Sequence, residues 1–144
     1  MREILFKAKR IDNGEWVEGS LMNLDADSRY CYIVTSYKNA STLPINLLIT
    51  GRMKLVDPET LCQFTRLCDK NGKRIWENDI LMAHLDESYP EDVTYETVEW
   101  GVAGWVSREA NSADRQYLDK FDIEYFEVVG NIFDNKELLQ EECK

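Results

Sequence analysis

The sequence predicts a mainly β fold: a small barrel-like domain of about eight short strands with long loops and a short C-terminal helix. Three observations predict it. Several short segments alternate apolar and polar residues with a period of two. Clusters of Asp, Asn, Gly and Pro separate these segments at short intervals. Helix is scarce: residues 136–142, which Asp134 or Asn135 can cap, read as a short C-terminal helix.

The first element is a hairpin. Ile4, Phe6 and Ala8 alternate with Leu5, Lys7 and Lys9, and Asp12-Asn13-Gly14 tolerates the positive φ of a tight turn. The return strand spans about residues 15–21 around Trp16 and Val17, and Gly19 within it marks a bulge or a close backbone approach. Residues 30–35, almost all β-branched or aromatic, form the next strand. Residues 45–50 read as a further short strand. Val56-Asp57-Pro58-Glu59-Thr60 reads as a helical turn or a tight connection, because Pro fits its first position. Residues 63–68 form a strand, Asp69-Lys70-Asn71-Gly72 a hairpin turn, and Arg74-Ile75-Trp76 the return. Glu77-Asn78-Asp79 then leads into Ile80-Leu81-Met82. An acidic loop over 86–92 precedes a hairpin of 93–100 with Trp105-Val106, turned by Gly101 to Gly104. Residues 108–120 are polar and read as a loop, with room for a short helical turn. Residues 126–133 are a strong strand.

At 144 residues the chain fits one domain, 1–144, with an N-terminal β region (1–60) and a C-terminal barrel-like region (61–144) as sub-parts. Several chemistries are excluded or weakened. Cys31, Cys62, Cys68 and Cys143 include no C-x-x-C pair, so reduced structural thiols are expected rather than disulfides or a metal site. His84 is the single histidine, which removes every site that needs two imidazoles. The seven glycines form neither phosphate-binding signature, and no cofactor is expected. No apolar run approaches the length of a membrane span, and the N-terminus lacks a signal-like stretch, so a cytoplasmic protein is expected.

Three groups of strings occur in order along the chain. Phe6-x-Ala8 is followed by Trp16-Val17-x-Gly19. Val56-Asp57-Pro58-x-Thr60-x-x-Gln63-Phe64-Thr65 leads to Asp69-x-Asn71-Gly72-x-x-Ile75-Trp76-x-Asn78-Asp79-Ile80. Phe126-Glu127-Val128-x-Gly130-Asn131-Ile132-Phe133 lies near the C-terminus. Together they resemble the YopX protein family of phages and prophages, from about Ile4 to Leu139. The resemblance implies a β-rich, barrel-like fold and a phage or prophage setting. It implies no reaction, because the family supplies no catalytic residue to carry over. Where the family commonly has Gly before Asp-Ile, this chain has Asn78, which also tolerates positive φ. Trp16, Gly19, Asp69, Asn71, Gly72, Ile75, Trp76, Asp79, Ile80, Val128, Gly130 and Asn131 are the motif residues, and each has a turn or packing reason to be there.

Three functions compete. A non-enzymatic binding or assembly module is favoured, with an unidentified protein or a second copy of the chain as partner. Trp76, Trp100, Trp105 and Tyr95 are candidate interface residues, although most are expected in the core. Nucleic-acid association is the alternative, through the basic hairpin (Lys7, Lys9, Arg10, with Phe6 and Trp16 as stacking platforms) or as an acidic decoy. An enzyme would draw on Asp57, Glu59, Glu77, Asp79 and His84, but no spacing places two of them together. The net charge of −10 disfavours a general nucleic-acid binder. That charge is uneven. Residues 1–72 hold ten Lys+Arg and nine Asp+Glu, a net of +1, whereas residues 73–144 hold seven and eighteen, a net of −11.

Overall fold

A computed structural model describes residues 4–23, 31–35, 53–84, 88–89, 91–110, 112–119 and 122–139. The chain divides into two compact units, Met1–Phe64 and Thr65–Lys144.

In unit 1, β1 (Phe6–Lys9), β2 (Trp16–Asn23), β3 (Cys31–Val34) and β4 (Met53–Val56) precede a 3-10 turn at Pro58–Thr60 and β5 (Cys62–Cys68), which runs on into unit 2. The order is β4-β3-β2-β1-β5, and the pairs are antiparallel. Period-two alternation decides which face is buried. The register Ala8↔Val17 with Leu21↔Ile33 puts these side chains on one face. Ala8, Cys31, Ile33 and Val56 are buried there, with Phe6, Val17, Leu21 and Leu61 packed around them.

This sheet curls. Arg10 bridges Val56, Ile11 N–H donates to Leu55 C=O at 3.2 Å, and Asp57 N–H donates to Lys9 C=O at 2.8 Å. The Val-Asp-Pro-x-Thr string holds that junction. Asp57 Oδ1 caps the 3-10 turn by accepting from Glu59 N–H at 3.0 Å. Thr60 Oγ1 accepts from Lys9 N–H at 2.9 Å and donates to Asp57 C=O at 2.8 Å.

In unit 2, the end of β5 is followed by β6 (Arg74–Trp76), β7 (Asp79–His84), β8 (Val93–Trp100), β9 (Trp105–Glu109), β10 (Arg115–Tyr117) and β11 (Glu127–Asn131), with 3-10 turns at Asp122–Tyr125 and Lys136–Leu139. The five-stranded sheet has the order β10-β9-β8-β7-β11, antiparallel throughout. Ile75, Leu81, Val98, Phe126 and Val128 form its buried cluster, with Leu67, Ala83, Trp105, Leu118 and Ile123 against it.

The mainly β expectation holds, with three corrections. The sheets are open and form no closed barrel; the curl at Arg10 and Val56 is the nearest approach to one. Eleven strands occur among the described residues instead of about eight, and β4 and the polar β10 are two that were not anticipated. The expected C-terminal helix is a single 3-10 turn over Lys136–Leu139, and its remainder lies outside the described residues. The strand expected at 45–50 also lies outside them, as does Cys143. Cys31 and Cys62 are buried and Cys68 is exposed, none of the three in a disulfide. Among the described residues, no helix is long and apolar enough to cross a membrane.

Candidate functional site

The two most specific strings, 69–80 and 126–133, meet in unit 2. Asp69 joins them. Its Oδ1 accepts from Asn71 N–H and Lys73 N–H, both at 2.9 Å, and its Oδ2 accepts from Val128 N–H at 2.9 Å. Gly72 completes the turn at φ +80°, with its N–H on Asp69 C=O at 3.0 Å. One buried carboxylate therefore shapes a hairpin turn and ties it to β11, 59 residues away.

Asn78 adopts φ +70°, the conformation for which its residue type is suited. Its N–H donates to Val98 C=O at 2.8 Å, and its C=O accepts from Ile132 N–H at 3.0 Å. The buried Asp79 accepts from Trp76 N–H through Oδ2 at 2.8 Å. Asn131 Oδ1 accepts from Phe133 N–H and Asp134 N–H, both at 2.9 Å. Gly130 leaves room for Asn135, whose Oδ1 reaches Asn131 N–H at 3.2 Å. A Cβ on Gly130 would overlap the Asn135 side chain. We therefore expect Gly130→Ala to cost about 2 kcal/mol. Adding Asn135→Gly should recover part of that loss, a non-additivity measurable by urea unfolding of both single variants and the double.

Ile75 and Ile80 are fully buried and Trp76 nearly so. Of the expected acid–base groups, Asp57 caps the turn in unit 1, Asp79 holds the Trp76 amide, and His84 lies at the exposed end of β7. No group of three potential metal ligands occurs among the described residues.

The surface with most to offer a partner is the β8–β9 turn. Gly101 N–H closes it on Gly104 C=O at 2.7 Å. Trp100 and Trp105 face each other across the strands in an edge-to-face contact, with centroids 4.8 Å apart and planes at 72°. Trp100 is nonetheless 62% exposed, and Val102 at the tip is fully exposed. On the other face of the sheet, the Glu99 carboxylate holds Arg108 at 2.8 Å and Arg115 at 3.4 Å, pinning β10 to β8 and β9. Beside them lies a hollow of about 440 Å³ lined by Thr97, Arg108, Ser112 and Leu139, among others. The aromatic expectation is thus split. Trp76 is buried, Tyr95 and Trp105 are half-buried, and Trp100 is exposed. Val102 was missed, although a Gly-x-x-Gly turn necessarily displays the residues between its glycines.

A family model described as "YopX protein" matches residues 5–140. The chain belongs to the YopX protein family. A search of curated proteins gives no match. Among solved structures, the chain is similar to one described as the crystal structure of protein EF1440 from Enterococcus faecalis. The TM-score is 0.62 at 21% identity, covering 97% of this chain and 100% of that one. At that identity the likeness concerns the fold alone. Asp69, Asn71, Gly72, Asp79, Gly130 and Asn131 lie within the region that the YopX model spans, and the side chains of Asp69, Asp79 and Asn131 accept from backbone N–H groups of the same unit.

Proposed function

We propose that this YopX-family chain is a non-enzymatic binding module that recognises a protein partner through the β8–β9 turn of unit 2. The observation that carries the reading is the exposure of Trp100 and Val102 side by side at the end of a hairpin braced by Trp105. An exposed Trp leaves a large apolar area in water. Filling a partner's pocket with such a side chain is what interface anchors commonly do. The carboxylates available for acid–base chemistry support binding over catalysis, since Asp57, Asp69 and Asp79 each accept from backbone N–H groups. The phage or prophage setting and the cytoplasmic location belong to the same proposal and suit a small accessory module.

The nucleic-acid alternative has weaker support. Phe6 packs with the buried cluster of unit 1, while the ring of Trp16 carries Lys7 Nζ at 4.8 Å and Lys9 Nζ at 5.5 Å from its centroid. A ring face occupied by ammonium groups is a poor stacking platform for a base. Arg10 is engaged with Asp12, and that guanidinium hydrogen bond holds the Asp12 carboxyl below the usual carboxylate range. With the folded value lowered, the pair's small contribution is present above the unfolded pKa. It is lost as pH falls through the folded one.

A photo-crosslinking side chain placed at position 102 tests the proposal in the cells where the protein is made, with position 59 as an exposed control on unit 1. A discrete adduct with one protein at 102 and none at 59 is expected. Equal labelling at both sites, or adducts with nucleic acid alone, would overturn the reading.

A further inference from the structure

Resting on the protein-binding role given to Trp100 and Val102, we propose that Tyr117 of β10 is a third anchor, on the opposite face of the same turn, and that the turn enters the partner protein edge-on, in an apolar cleft with a basic rim. Among the described residues, eight large apolar side chains are exposed, and three of them, Trp100, Val102 and Tyr117, border this one turn. Such clustering is what separates a binding patch from the single exposed hydrophobes of an ordinary surface.

Register assigns the faces. Trp105 packs against the buried cluster of unit 2, and Trp100, directly opposite it, lies on the same face. Val106 is next along β9 and points to the other face. Tyr117 is opposite Val106, so its ring belongs to that outer face. There the ring lies against the turn itself: a Cβ on Gly104 would sit 3.8 and 3.9 Å from ring carbons Cδ1 and Cε1. Gly101 leaves the room that Val106 fills, since a Cβ there would come within 2.9 Å of Val106 Cγ1. The Arg115 guanidinium, on Glu99 at 3.4 Å, fixes the strand that carries the ring. Tyr117 is nonetheless 57% exposed. Trp100 therefore flanks the turn on one face and Tyr117 on the other, with Val102 at the tip.

That arrangement selects the shape of the partner. A flat surface meets one face of a strand pair. Covering Trp100 and Tyr117 together takes two walls about 10 Å apart, the thickness of a sheet with side chains on both faces. Apolar walls gain the burial of all three side chains. Charge selects the rim. Residues 73–144 carry a net of −11, a field that repels nucleic acid and anionic membrane surfaces and draws a basic protein surface. On the Tyr117 face, Arg108 and Arg115 are already paired with Glu99, so they set no bare cation against a basic rim.

The test places the photo-crosslinking side chain at position 117 of the full chain, beside the variant labelled at 102, and adds Tyr117→Phe and Tyr117→Ala to co-purification. An adduct at 117 with the same protein as at 102 is expected, its yield falling as salt rises. Tyr117→Phe keeps the ring and should recover that protein as wild type does. Tyr117→Ala should recover about tenfold less, with its circular dichroism unchanged. An adduct at 102 with none at 117, or full recovery with Tyr117→Ala, would overturn the third anchor while leaving the binding role of Trp100 and Val102 standing. Adducts at 117 with nucleic acid or lipid alone, or a yield that rises with salt, would contradict the basic-rimmed cleft. No discrete adduct at either position would overturn both that role and the cleft.

Discussion

Asp69→Ala is expected to destabilise unit 2 by about 3 kcal/mol. The side chain removed accepts three backbone N–H groups, from Asn71, Lys73 and Val128. The first two belong to an exposed turn and can recover water. Val128 is buried within the cluster of Ile75, Leu81, Val98 and Phe126, so its N–H is left unsatisfied at the full desolvation cost. Asp69→Asn should fall between wild type and Ala. Its amide oxygen can still serve the turn, but its NH2 then opposes the Val128 donor. Urea unfolding followed by Trp fluorescence distinguishes these outcomes. The midpoint should move in the order wild type, Asn, Ala with an unchanged slope. A loss below about 0.5 kcal/mol for Ala would mean that the turn is held by Gly72 and Lys73 alone.

Gly19→Ala is expected to be at least as damaging to unit 1. A Cβ at this position would overlap the backbone carbonyl of Val34 and come within 3.2 Å of Ile33 Cγ2. The obstruction is main chain, which cannot rotate aside as a side-chain terminus can. The loss is therefore about 3 kcal/mol, at the upper end for overpacking. Near-wild-type thermal stability of Gly19→Ala would show that β2 and β3 separate readily at this point. A Ser20→Ala control on the same strand should change little by comparison.

How far the sequence carries can be traced through individual residues. The β8–β9 hairpin is legible because its strands alternate and Gly101 and Gly104 bound its turn. β10 is not, since Arg-Gln-Tyr is exposed throughout and its pairing with β9 is set by Glu99 on another strand. β4 escapes for a related reason. Its burial runs buried, half-buried, exposed, buried, so Leu55 breaks the period-two signature. Barrel closure depends on contacts between distant segments, and local turn chemistry cannot report it. Arg66 is the hardest case. It adopts φ +71° inside β5, which nothing in an arginine side chain predicts. Beside it, Thr65 Oγ1 donates to Ile75 C=O at 2.6 Å and accepts from Leu67 N–H at 3.1 Å. The candidate site divides in the same way. Asn78 is readable as a positive-φ residue from its type alone, whereas the link from Asp69 to Val128 spans 59 residues and leaves no local trace.

We propose that unit 2 binds a protein through Trp100 and Val102. Quantitative co-purification of the intact protein from the cells that express it tests that claim most directly, comparing wild type with Trp100→Ala, Val102→Ser and the separate hairpin variant Lys7→Ala, Lys9→Ala. One protein is expected in stoichiometric amount with wild type and with the hairpin variant. Recovery should fall about tenfold or more with the turn variant, whose circular dichroism stays that of wild type. Equal recovery with the folded turn variant, or loss confined to the hairpin variant, would contradict it.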